Sequence, residues 1–75
     1  MNEIRKVSVV VPVFNEEGNV EPLVEEIAAV MNQQNPEWEL WLVDDGSTDA
    51  SLARIRTVCE REPHAGFLSF RRNRG

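Results

Sequence analysis

The stretch VSVVVPV, residues 7–13, constrains this chain most. It is nearly continuous in β-branched apolar residues, and polar alternation is missing. Such a run predicts a strand buried on both faces, as in a parallel sheet covered by helices. Pro12 has no N–H to give to a ladder and is expected to end the strand there. A parallel strand needs a crossover, so a helix and then another strand must follow.

Both are legible. Val20, Leu23, Val24, Ile27, Ala28, Val30 and Met31 follow the i, i+3, i+4, i+7 stripe of an amphipathic helix. Asn19 is placed to cap it, and Pro22 falls in the first turn, where a missing N–H matters least. NQQNPE breaks the helix, and WELWLVDD reads as a second strand ending at two aspartates. Thr48 or Asp49 can cap a second helix over roughly 50–60, with Leu52, Ile55 and Cys59 inward. EPHAG is a turn, and FLSF (residues 67–70) is a third strand leading into RRNRG. Trp41 is expected in the core, Trp38 is left open, and His64 is expected at the surface.

The order β-α-β-α-β predicts an α/β fold, half of a Rossmann-like nucleotide-binding parallel sheet. Residues 1–75 then form a single partial domain, because the final basic cluster reads as the opening of a loop. In such sheets ligands bind beyond the carboxyl ends of the strands. Three polar loops stand at that edge: PVFNEE, DDGSTD and RRNRG.

Composition narrows the functions. Residues 1–53 carry 2 basic and 11 acidic groups, whereas residues 54–75 carry 6 basic and 2 acidic ones. An acidic body argues against a nucleic-acid surface made by the whole domain. The single cysteine, Cys59, excludes an internal disulfide and falls in a helical apolar pattern, as a small core residue does. The short apolar run at the start is neither a signal peptide nor a membrane span, so a cytoplasmic setting is expected.

DDGSTD places three carboxylates within six residues. A tight turn at Gly46 and a helix cap at Thr48 or Asp49 explain four of its residues but leave Asp44 and Asp45 unexplained. An EF-hand needs acids at alternate positions and a glutamate well after the glycine, so a calcium loop fits poorly. A ligand with hydroxyl and N–H donors fits better, since a carboxylate at a strand end can accept from a ribose or a base. G-x-G-x-x-G and G-x-x-x-x-G-K-[ST] are both absent, which disfavours a dinucleotide cofactor and a P-loop. Glu16 and Glu17 add acids to the same edge and would repel bare phosphates. A nucleotide accompanied by a divalent cation would be tolerated. Arg72 and Arg74 supply charge for phosphates, and Asn73 suits an unusual turn.

VVVPVFNEEGNV, LVDDGSTD and RRNRG, in this order and spacing, resemble the start of an inverting family 2 glycosyltransferase of GT-A fold. The closest-looking branch is the polyprenyl- and dolichyl-phosphate sugar transferases, and the resemblance runs from Val7 to Gly75. It implies a UDP-, GDP- or similar sugar donor and an acceptor such as a polyprenyl phosphate. It implies that Pro12, Phe14, Asn15 and Glu16 contact the donor nucleotide, and that Asp44 or Asp45 recognises its base and ribose. Gly46 and Ser47 form the turn beside them, and Arg72 and Asn73 lie in the third loop. Mg or Mn is implied for the full enzyme, with none bound by this stretch alone. The metal-binding D-x-D motif and catalytic base of the family are absent from the chain, so no catalytic residue is assigned and no transferase activity is expected of these residues alone. A membrane-bound acceptor at the cytoplasmic face follows from the branch. A nucleotide-sugar pyrophosphorylase fits less well, because its first loop is usually glycine-rich and basic. The alternative from another class is a short non-catalytic module that self-associates through an open sheet, since unpaired edges invite pairing.

Overall fold

The computed structural model describes residues 6–34 and 37–70. Five elements alternate: β1 (Val7–Val13), α1 (Val20–Gln34), β2 (Trp38–Asp45), α2 (Ser51–Arg61) and β3 (Ala65–Phe70). The three strands are parallel in the order β1-β2-β3, so the α/β reading from the sequence holds. β3 begins two residues earlier than its aromatic run suggested. Pro12 does not end β1: it lies within the strand, opposite Val43. β1 is an edge among the described strands, where a residue lacking an N–H is tolerated.

Among the described residues the sheet is covered on one face only. Both crossovers step the same way across it, which puts α1 and α2 on the same side. Val20 and Val24 of α1 and Ile55 and Val58 of α2 close on Val13, Trp38, Leu40 and Leu42. Each fully buried Leu or Ile contributes about 1.5–3 kcal/mol from burial. The uninterrupted valines of β1 had suggested two buried faces. Instead Val7, Val9 and Val11 pack on the core and Val10, 62% exposed, stands on the open side. Trp41, Leu68 and Phe70 share that open side.

Several helix and aromatic assignments shift accordingly. Val30 of α1 is exposed, because the stripe of the helix turns away from the sheet there. In α2 the buried positions are Ser51, Ile55 and Val58, with Cys59 packed beside them and Leu52 half-buried. Trp41, expected in the core, lies on the open face, and Trp38, left open by the sequence, is 2% exposed. Period-two alternation along β2 forces this once Leu40 and Leu42 face the helices. His64 is not a free surface residue: it stacks on Trp38 with ring centroids 4.2 Å apart, and its Nδ1 is 2.8 Å from Glu62 Oε2.

No helix among the described residues is long and apolar enough to cross a membrane.

Candidate functional site at the carboxyl edge of the sheet

β1 and β2 end side by side, with Val13 opposite Asp44. β3 ends at the same edge, with Phe70 opposite Asp45. The loops that leave β1 and β2 are therefore brought together by strand register.

The first loop reverses at Asn15, whose φ of 51° lies in the left-handed region. Glu16 carbonyl then accepts the Asn19 N–H at 2.8 Å, and α1 begins when Asn19 carbonyl accepts the Leu23 N–H at 3.0 Å. Asn19 thus holds the cap position by its backbone, while its side-chain Nδ2 donates to Glu16 Oε1 at 2.8 Å. The second loop reverses at Gly46, φ 76°, a conformation that costs a residue with a Cβ about 1–2 kcal/mol.

The two loops are tied by side chain–backbone hydrogen bonds. Asn15 N–H donates to Ser47 Oγ at 2.9 Å, and Thr48 N–H donates to Asn15 Oδ1 at 2.8 Å. Glu16 N–H donates to Ser51 Oγ at 2.7 Å. Ala50 N–H donates to Glu17 Oε1 at 2.9 Å, and Ser51 N–H donates to Asp49 Oδ1 at 2.8 Å. The amides of Ala50 and Ser51, at the start of α2, are thus satisfied. Ala50, not Thr48 or Asp49, occupies the cap position of α2, and it makes no side-chain cap. Asp49 does that work from one residue earlier. The Ser51 hydroxyl, ahead of the backbone N–H groups of Ser51 and Glu17, holds the Asp49 carboxyl below its ordinary range.

The adjacent aspartates separate. Asp44 faces the core side and is 2% exposed. Its Oδ2 accepts the Ser47 N–H at 3.4 Å, bracing the turn, and its Oδ1 is buried without a hydrogen-bond partner. Asp45 points the other way and is exposed. It lines a cleft with Pro12, Phe14 and Glu16, closed on one side by Asn19, Val20 and Leu23 of α1. Phe14 is half-exposed at the rim. Of the residues expected from the sequence, Pro12, Phe14, Glu16 and Asp45 share this cleft, and Asn15, Asp44, Gly46 and Ser47 shape the loops behind it. Arg72 and Asn73 lie outside the described residues.

Two residues of the site escaped the sequence reading. Ser51 is fully buried and accepts the Glu16 N–H. A serine at a helix start was a visible signal, though its partner 35 positions away was not. Glu17 reads in the sequence only as one more acid at the ligand edge, yet its Oε1 accepts the Ala50 N–H at the start of α2.

Comparison with known proteins fits this geometry. The description "Glycosyl transferase family 2" matches residues 8–75. Dodecaprenyl-phosphate galacturonate synthase of Rhizobium johnstonii is 56% identical over 57 residues, covering 76% of this chain and 17% of that protein. Undecaprenyl-phosphate 4-deoxy-4-formamido-L-arabinose transferase of Pectobacterium carotovorum is 39% identical over 74 residues, covering 99% of this chain and 22% of that protein. The chain therefore spans about a fifth of the length of these relatives. Among solved structures, the mannosyltransferase PcManGT of Pyrobaculum calidifontis, in complex with GDP-Man and Mn2+, superposes with a TM-score of 0.75 at 27% identity. That match covers 92% of this chain and 20% of the mannosyltransferase chain, and it identifies the sheet as part of a GT-A fold.

Among the described residues no three His, Cys, Asp or Glu side chains are grouped to hold a metal ion. The fold, the loop pair and the match from residue 8 to residue 75 nevertheless agree, and the chain belongs to glycosyl transferase family 2.

Proposed function

We propose that the Asp45 cleft is the nucleoside subsite of an inverting glycosyltransferase that takes a nucleotide-diphosphate sugar as donor. The observation that carries this reading is the sharing of one cleft by Asp45, Phe14, Pro12 and Glu16 at the carboxyl edge. A carboxylate accepts from base N–H groups and ribose hydroxyls and takes no part in holding phosphates. Phe14 offers an aromatic face at the rim, and Pro12 a flat apolar wall that costs no side-chain entropy. Between the two aspartates, Asp45 is the one that reaches a ligand, because Asp44 is turned into the sheet and braces the turn.

The acceptor belongs to the same reading. The relatives are named for dodecaprenyl- and undecaprenyl-phosphate chemistry, so a polyprenyl phosphate at the cytoplasmic face of a membrane is the acceptor class. A phosphate acceptor is already an anionic nucleophile, and inversion then needs a positive group to stabilise the leaving diphosphate. Among the described residues no three His, Cys, Asp or Glu side chains are grouped to hold a metal ion for that role. Titration with GDP and UDP, followed by amide shifts, tests the reading. Shifts at residues 14–16 and 45–47 support it, and shifts confined to the opposite end of the sheet reject it.

A second reading has its own observation. Val10, Trp41, Leu68 and Phe70 leave an apolar sheet face uncovered, and a second copy of the chain would bury it. Sedimentation at rising concentration decides: a monomer throughout rejects self-association.

A further inference from the structure

Asn15 joins the two loops of the site in a way that ligand contact does not require. Its backbone is left-handed at φ 51°, the only such residue other than glycine among the described residues. Asparagine is one of the few side chains that tolerate this conformation. Its Oδ1 lies 2.8 Å from Thr48 N and 3.3 Å from Asp49 N, so two consecutive amides converge on one oxygen. The Thr48 hydroxyl lies 3.4 Å from the same atom. Its own N–H donates to Ser47 Oγ. One residue is thereby bonded to three consecutive residues of the other loop. A carbonyl oxygen has two lone pairs, and both are taken up here.

We propose that Asn15 is a positioning residue: it sets the distance between Phe14, its neighbour in the chain, and Asp45 across the cleft, and does not itself contact the nucleoside. This rests on the reading that the cleft holds a nucleoside. Phe14 departs from Asn15 directly, and Asp45 lies two residues before Ser47, which Asn15 N–H holds. A stacking ring and a hydrogen-bonding carboxylate act on one nucleoside only when their spacing matches it, and the Asn15 clasp stands beside the links that Glu16 and Glu17 make to the second loop.

Two variants separate positioning from contact. Asn15→Gly keeps the left-handed backbone and removes Oδ1. Asn15→Asp keeps an acceptor oxygen for the Thr48 and Asp49 amides and removes the amide donor. Each is measured by amide hydrogen exchange at Thr48 and Asp49 and by titration with GDP and UDP. Asn15→Gly is expected to speed exchange at both amides and to weaken nucleotide binding, each about tenfold, the size of one lost hydrogen bond. Asn15→Asp is expected to recover the protection and most of the affinity. Unchanged exchange in Asn15→Gly overturns the clasp. Faster exchange with unchanged affinity overturns the positioning role. Retained protection in Asn15→Asp with affinity as poor as in Asn15→Gly overturns it in favour of direct contact through Nδ2. If the unmodified chain binds neither nucleotide, the nucleoside reading falls and the positioning role with it, whereas the exchange result stands by itself.

Discussion

Glu17 Oε1 accepts the Ala50 N–H at 2.9 Å, so an acid from the loop after β1 caps the helix that follows β2. Ala50 at the cap position has no side-chain acceptor, so Glu17 supplies one for the Ala50 N–H while Asp49 takes that of Ser51. Replacing a capping acceptor by alanine typically costs ~1 kcal/mol. Glu17→Ala is therefore expected to lower unfolding stability by about that amount, and Glu17→Gln, which keeps an acceptor oxygen, by less. Chemical denaturation of the three proteins checks the order.

Acid sensitivity follows from Asp49. Hydrogen bonds from the Ser51 hydroxyl first, then from the Ser51 and Glu17 amides, lower its pKa in the folded chain. A depressed folded pKa stabilises the fold above the ordinary aspartate range, about 4, and the contribution is lost as pH falls through the folded value. Glu39 acts with the same sign, held down by the Ser8 hydroxyl first and then by Lys6. Stability is expected to decline below about pH 4, and Asp49→Asn to flatten that decline while keeping the cap oxygen. Midpoints measured between acid and neutral pH test this, and an unchanged acid limb in Asp49→Asn contradicts it.

Gly66 is a seat for the Trp41 indole. A Cβ at Gly66 would fall 2.7 Å from Cζ3 of Trp41, too close to remain. Trp41 lies on the open face with its side chain also bonded to Glu39, so Gly66→Ala is expected to move the ring and change stability by no more than ~1–3 kcal/mol, the usual cost of overpacking a closed core. In a proton–nitrogen spectrum the Trp41 indole N–H is expected to shift. That of Trp38, bonded to Asn32 Oδ1 at 2.9 Å, is expected to stay.

Cys59 is half-buried on α2, and burial raises its thiol pKa. The thiolate is the reactive form, so alkylation near neutral pH is expected to be slower in the folded chain than in the unfolded one. A faster rate in the folded chain contradicts this.

The strand–helix alternation and the convergence of two loops were legible in the sequence because period and composition carry them. β2 was read to the residue, as its alternation and terminal aspartates mark both ends. The exposure of the far face was not legible, since continuous valines do not reveal which side of a sheet is covered. Trp41 was misjudged and Trp38 left undecided for the same reason: strand parity decides which is buried, and only the register with Leu40 and Leu42 fixes it. The pair Asp44 and Asp45 was visible as unusual, but its division into a turn brace and a cleft acid depended on strand direction. Glu17 and Ser51 were hidden because their partners lie 33 and 35 positions away.

The most direct test of the account is calorimetric titration of the chain with GDP and UDP, with and without manganese, alongside Asp45→Ala. The account predicts that one of the nucleotides binds and that Asp45→Ala weakens it about tenfold or more. Binding that survives Asp45→Ala undiminished would contradict the assignment of the nucleoside to this cleft.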